Sequence, residues 1–250
     1  MSEAQSAQCA ADEERQGEQG VYRGTKEVKT IVKLKGVSKV YWRGKEKVEV
    51  LHDLDLAVPE GAFEALMGPS GSGKTTLLNL IAGLDVPSSG SVRVADAQLE
   101  TMGEAGRTKW RAENIGFVFQ TYNLLPVLTA QQNVELPLLL ANLSSSERKR
   151  RAQTALKIVG LEDRVRHRPG ELSGGQQQRV TIARAIVNDP KIIVADEPTG
   201  DLDRHNADEI LNLLDKLNRE FEKTILMVTH DPAAAERASH RRHLDKGKLQ

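Results

Sequence analysis

Lys74 closes the run Gly68-Pro69-Ser70-Gly71-Ser72-Gly73 and is followed by Thr75 and Thr76. The spacing is G-x-x-x-x-G-K followed by Ser or Thr, a loop that wraps phosphates. Its backbone N–H groups point inward, and its glycines let the chain approach closely and take positive φ. Lys74 has the charge to neutralise β- and γ-phosphates, and the Thr75 hydroxyl is a ligand for Mg²⁺. Ala65-Leu66-Met67 before the loop reads as a strand end. Thr76 to Ala82 after it reads as a helix closed by Gly83. A helix N-terminus therefore faces the anion.

A second glycine-rich signature is Leu172-Ser173-Gly174-Gly175-Gln176-Gln177-Gln178-Arg179. Ser173 can cap a helix that starts after Gly174-Gly175, leaving free N–H groups at the positive end of its dipole. That is a second anion site. Two such loops in one chain, with Asp196-Glu197 after the second, suggest a nucleotide held between two surfaces.

The elements that must carry these residues are legible as apolar runs. Lys191 to Ala195, bounded by Pro190 and Pro198, reads as a buried parallel strand with Asp196 and Glu197 at its carboxyl end. Thr224 to Thr229 ends in His230-Asp231, and Ile115 to Phe119 ends in Gln120. Three strands thus deliver polar residues at the end where open α/β sheets bind ligands.

Composition sets bounds. A chain of 250 residues can bury one sizeable core and a small subdomain. Its formal net charge is zero, so nucleic acid is not expected as a partner. The single cysteine, Cys9, forms no internal disulfide and fits a reducing cytosol. No apolar run approaches the roughly 20 residues that span a bilayer. No apolar signal region precedes Cys9. Any membrane spans this chain serves must come from another polypeptide.

Residues 1–29, polar and without apolar periodicity, are expected to be a disordered tail. Residues 31–67 alternate in the manner of antiparallel strands, and 90–99 hold another. The segment 130–188 reads as mostly helical. Ser144 to Glu147 has the form of a capping box, and that helix is expected to end near Gly160. Ile210, Leu213, Leu214, Leu217 and Phe221 form a helical apolar stripe. Arg148 to Arg151, beside Glu147, reads as a solvated helix face rather than a nucleic-acid or lipid patch.

Over about residues 31–250 the chain resembles the nucleotide-binding subunit of ATP-binding cassette (ABC) transporters, whose motifs occur here in the family's order. Ile115 to Gln120, Leu124 to Ala130 and Ala195 to Gly200 are most similar to the lipoprotein-release and macrolide-export branch, LolD-like and MacB-like. The resemblance implies an α/β fold: a P-loop NTPase cassette with a RecA-like core, an antiparallel β subdomain and a helical signature subdomain. The cassette would occupy 30–250, and the helical subdomain about 121–188.

The resemblance also implies roles. ATP and Mg²⁺ would bind at Gly68, Pro69, Ser70, Gly71, Ser72, Gly73, Lys74, Thr75 and Thr76. Tyr41 would stack on adenine, with Trp42 as a competing aromatic. Asp196 would hold Mg²⁺ through water, with Thr75 and Gln120 also at the metal. Glu197 would act as general base, His230 would contact the γ-phosphate, and Gln120 would link the site to the membrane partner. Leu172, Ser173, Gly174, Gly175 and Gln176 would contact ATP held by a second copy. Asp201 and Asp203 would sit in a loop crossing the dimer interface.

The implied partners are a second copy of the chain and a separately encoded permease. The implied place is the cytoplasmic face of the inner cell membrane. Gly61-Ala62 and Ala95-Asp96-Ala97 depart from the family's usual Gly-Glu and glycine turn, leaving local turn geometry open. The same site also serves nucleotide-gated regulators of the cell-division type. Leu125 could face a permease groove or the core.

Overall fold

A computed structural model describes residues 29–249. The tail expected over 1–29 lies, except for Lys29, outside the described residues. Four strands form an antiparallel sheet. They are β1 (Thr30–Arg43), β2 (Glu46–Pro59), β4 (Ser89–Val94) and β5 (Ala97–Gln98), in the order β2-β1-β4-β5. In β1 and β2 alternate residues are buried, the pattern of a sheet with one face on the core.

β3 (Phe63–Met67) leaves that sheet and enters a second one. With β6 (Ile115–Phe119), β7 (Ile192–Asp196), β8 (Thr224–Val228), β9 (His240–Asp245) and β10 (Lys248–Leu249), it makes the order β10-β9-β3-β8-β7-β6. All pairs are parallel except β9 with β10. β8 is buried at every position and β7 at all but Asp196, as strands covered on both faces must be. Among the strands of this sheet the buried charged side chain is Glu64 in β3. It is fully buried and meets the Arg242 guanidinium of β9 at 2.5 Å, which compensates the charge.

The helices are α1 (Lys74–Ile81), α2 (Glu104–Asn114), α3 (Ala130–Glu135), α4 (Ser145–Ile158), α5 (Gly174–Ile186), α6 (Arg204–Phe221) and α7 (Pro232–Ala235). One core cluster joins α3, α4, α5 and α6 to one face of the parallel sheet. A second joins the antiparallel sheet and α1 to the other face.

Three sequence expectations change. Ser144 accepts a hydrogen bond from Glu147 N at 3.2 Å, but the reciprocal half of the capping box is missing. Glu147 instead takes Arg150 and Arg151 at 2.8 and 2.9 Å. Two guanidiniums within one turn outcompete a neutral N–H, and they hold the Glu147 carboxyl down to about 2. The stripe on α6 is buried from Ile210 to Leu217, but Phe221 is 41% exposed, because the helix ends there and leaves the core. The helix after the signature begins at Gly174 itself, not after Gly175.

Where the family's usual glycine turn is absent, Ala95 and Asp96 take φ of 45° and 67° to close the β4–β5 hairpin. That left-handed backbone is unfavourable for alanine.

Candidate functional site

Between β3 and α1 the chain bends around a cleft of about 750 Å³. Its walls include Gly68, Pro69, Ser70, Gly71, Gly73, Lys74, Thr75 and Thr76, together with Val50, Val228, Glu197 and His230. The loop's shape depends on Gly68. Its φ is 150°, and a Cβ there would lie 2.1 Å from the Leu244 carbonyl oxygen. Ser72 turns inward, buried, its hydroxyl without a protein partner. Lys74 is buried and donates to Gly68 O and Pro69 O, both at 2.8 Å. The ammonium is thus held across the mouth of a loop of N–H groups, where a polyphosphate needs a positive charge.

β7 delivers the two carboxylates. Thr75 Oγ1 donates to Asp196 Oδ2 at 3.2 Å, joining the start of α1 to the end of β7. Burial pushes the Asp196 carboxyl up; Thr75 opposes this, Glu197 adds to it and Lys74 opposes it. A hydroxyl and a carboxylate at the phosphate cleft are hard oxygen donors of the kind a divalent cation takes. Among the described residues no three His, Cys, Asp or Glu side chains gather into a metal cluster. The donor set therefore fits a Mg²⁺ that also takes substrate oxygens, not an all-protein cage.

Glu197 has φ 47°, and its N–H donates to Val228 O of β8 at 2.9 Å. A positive φ at a residue other than glycine is local backbone strain, held here at the cleft wall. His230 Nδ1 lies 2.9 Å from Glu197 Oε2. An oriented carboxylate facing a phosphate cleft can accept a proton from water.

Gln120 stands elsewhere. Its Nε2 donates to Asp201 Oδ1 at 2.9 Å, so the side chain lies on the loop before α6 and not among the walls of the cleft. Asp203 caps α6, accepting from Asn206 N at 3.0 Å and from Asn206 Nδ2 at 2.6 Å. Tyr41 is 40% exposed and donates its phenol to Asp85 Oδ2 at 2.7 Å; Trp42 is 69% exposed. Neither ring lines the phosphate cleft.

The signature makes a full capping box. Ser173 Oγ accepts from Gln176 N at 3.3 Å, and Gln176 Oε1 accepts from Ser173 N at 3.0 Å. Leu172 anchors it in the core. Gly174 packs against the Tyr122 hydroxyl, and Gly175 lies so close to Asn206 that a Cβ would come within 2.2 Å of its Oδ1. None of Leu172 to Gln176 lines the cleft holding Lys74 in the same chain.

Two contributors escaped the sequence reading. Gln178 is fully buried and donates to Phe119 O at 3.2 Å and Pro198 O at 2.6 Å, tying α5 to the residues beside Gln120 and Glu197. Its place inside the signature run was the available signal. Asn206 links Asp203 to Gly175, and nothing in its spacing announced that.

Comparison with known proteins agrees with this geometry. The model of the ABC transporter family matches residues 51–200. The chain is 49% identical over 219 residues to an ABC transporter ATP-binding protein, YvrO, of Bacillus subtilis, covering 88% of this chain and 95% of YvrO. It is 49% identical to the macrolide export ATP-binding/permease protein MacB 1/2 of Paracoccus denitrificans over 83% of this chain but only 31% of MacB. A solved dimer of the cassette MJ0796 of Methanocaldococcus jannaschii, in a post-hydrolysis state bound to ADP and Pi, superposes with a TM-score of 0.81. That pair is 46% identical, over 88% of this chain and 96% of the other. The chain belongs to the ABC transporter family and is an ATP-binding cassette ATPase.

Proposed function

We propose that this chain is the motor of an ABC exporter or lipoprotein-release system, closing on ATP as a homodimer and driving a separately encoded permease. One observation carries the reading. Glu197, paired with His230, faces the cleft that holds Lys74, while the signature of the same chain stands outside it. Such a site is complete only when a second copy supplies Ser173 to Gln176. The MJ0796 cassette is dimeric in its solved structure, which supports the same arrangement here.

In this mechanism Lys74 leaves its two carbonyls for the β- and γ-phosphates, at the positive end of α1. Thr75 and Asp196 would hold Mg²⁺, which when bound offsets phosphate charge. Glu197 accepts the proton of the attacking water. His230 fixes the Glu197 carboxylate and approaches the γ-phosphate. Gln120, released from Asp201, senses the filled site. Gly68 to Thr76 bind the phosphates, and Tyr41 takes the adenine.

The domain division follows. Residues 30–250 are the cassette, and about 121–188 its helical subdomain. No helix among the described residues is long and apolar enough to cross a membrane. In this reading the permease carries the spans, and the chain works on the cytoplasmic face. Its dock is the apolar segment that follows Gln120 in the chain, where Leu125 and Val127 are 46% and 74% exposed. The likeness to MacB and to LolD-type cassettes favours export of a macrolide-like compound or release of a lipoprotein. The test is reconstitution with the adjacent permease: ATPase stimulation by a macrolide or by a lipoprotein identifies the cargo, and stimulation by neither overturns the cargo assignment.

A further inference from the structure

Asp85 lies outside the phosphate cleft, yet it gathers three donors. Lys39 Nζ donates to Oδ1 at 2.6 Å, Tyr41 Oη donates to Oδ2 at 2.7 Å, and Val86 N donates to Oδ1 at 2.7 Å. Lys39 is buried, and its ammonium also donates to Val86 O at 2.7 Å. That ammonium sits over the Tyr41 ring, 4.8 Å from its centroid. One ring face is thereby occupied by a cation. Tyr41 as a residue keeps 40% exposure, so a flat partner has access to it.

The clamp is tied to the phosphate site. Asp85 follows α1, the helix that begins with Lys74, and Leu84 N and Asp85 N both donate to Asn79 O of that helix, at 2.9 and 3.2 Å. Tyr41 and Lys39 belong to β1 of the antiparallel sheet. Asp85 is thus a side-chain link between the aromatic ring of one subdomain and the phosphate-binding helix of the other, beside the hydrogen bond between Tyr41 and Thr76 of that helix. A tyrosine at a strand end has two free side-chain torsions. Fixing its hydroxyl at one point and its face at another removes most of that freedom before a ligand arrives.

We propose that Asp85 is the positioning residue for the nucleobase: with Lys39 it holds the Tyr41 ring at the distance and tilt from the phosphate loop that adenine stacking requires. The proposal rests on the reading that Tyr41 receives the base. It assigns Asp85 to selectivity for the base and not to phosphate binding, because none of its contacts reaches the loop from Gly68 to Gly73.

The test compares dissociation constants of ATP and of inorganic triphosphate on the full chain, without divalent cation so that nothing is hydrolysed. Asp85→Ala weakens ATP by about 3–10-fold, the size of one stacking contact, and leaves triphosphate unchanged. Tyr41→Phe weakens ATP in the same direction, and the double variant is less affected than the product of the two single effects. Asp85→Asn keeps an acceptor for the phenol and retains more ATP affinity than Asp85→Ala; it also decides the matter if the alanine variant fails to fold. Equal weakening of ATP and triphosphate in a folded variant would show a purely structural role and overturn the proposal. Wild-type ATP binding by Asp85→Ala, with Tyr41→Ala impaired, leaves the base site standing and removes Asp85 from it. Wild-type ATP binding by Tyr41→Ala removes the base reading and the proposal together.

Discussion

His230 Nδ1 and Glu197 Oε2 are 2.9 Å apart, though they come from the ends of two different strands, β8 and β7. The parallel register sets Asp196 opposite Val228, so the residues that follow each strand meet at the carboxyl end of the sheet. The pairing gives the carboxylate a fixed direction. Glu197→Gln keeps its shape but removes the base. ATP binding is expected to persist while turnover falls by about 10²–10⁴-fold. Steady-state phosphate release beside nucleotide binding checks this, and wild-type turnover would remove Glu197 from its role.

Lys74 is buried, and its ammonium donates to two carbonyls. Lys74→Ala should weaken ATP by about 10–100-fold, the loss of charge-assisted hydrogen bonds to phosphate. Calorimetry reads the affinity. An unchanged value would count against the phosphate site.

Asp196 gives a pH prediction. Burial raises its carboxyl above the ordinary value of 3.8 in the nucleotide-free fold. A raised carboxyl means that the folded state binds the proton more tightly, so its contribution to stability is full below 3.8 and is lost as pH rises through the folded value. Asp196→Asn should therefore raise the melting temperature at neutral pH and converge on wild type in acid. Melts across that range decide it; a difference that does not change with pH would show that ionisation is not the cause.

Much of this was readable beforehand, for physical reasons. The phosphate loop, the three strand ends and the signature are local patterns in which spacing dictates geometry. The position of Gln120 on Asp201 was not readable, because it depends on how the loop before α6 meets the end of β6. The half-made box at Ser144 failed for a local reason that was visible: Arg150 and Arg151 compete for Glu147. Asp85 carried no motif, since its work is done through residues more than forty positions away in the chain.

Leu125 is 46% exposed, so the core does not claim its side chain; its N–H donates to the buried Asn133 Oδ1 at 2.8 Å, which holds the backbone in place. Leu125→Asp is expected to abolish capture of the permease while shifting the melting temperature by less than about 2 °C. Pull-down with the adjacent permease beside a thermal melt checks both. Retained capture would refute the docking role, and a collapsed melt would return Leu125 to the core.

If, as proposed, one chain's signature completes the other chain's site, ATP must bring two chains together. The direct measurement is the solution mass of Glu197→Gln by light scattering. With ATP and Mg²⁺ it should be that of two chains, and without nucleotide that of one. Adding Ser173→Arg, whose bulk stands where the second nucleotide must sit, should keep the chain single while it still binds ATP. A Glu197→Gln chain that stays single at saturating ATP would rule out a site shared between two chains.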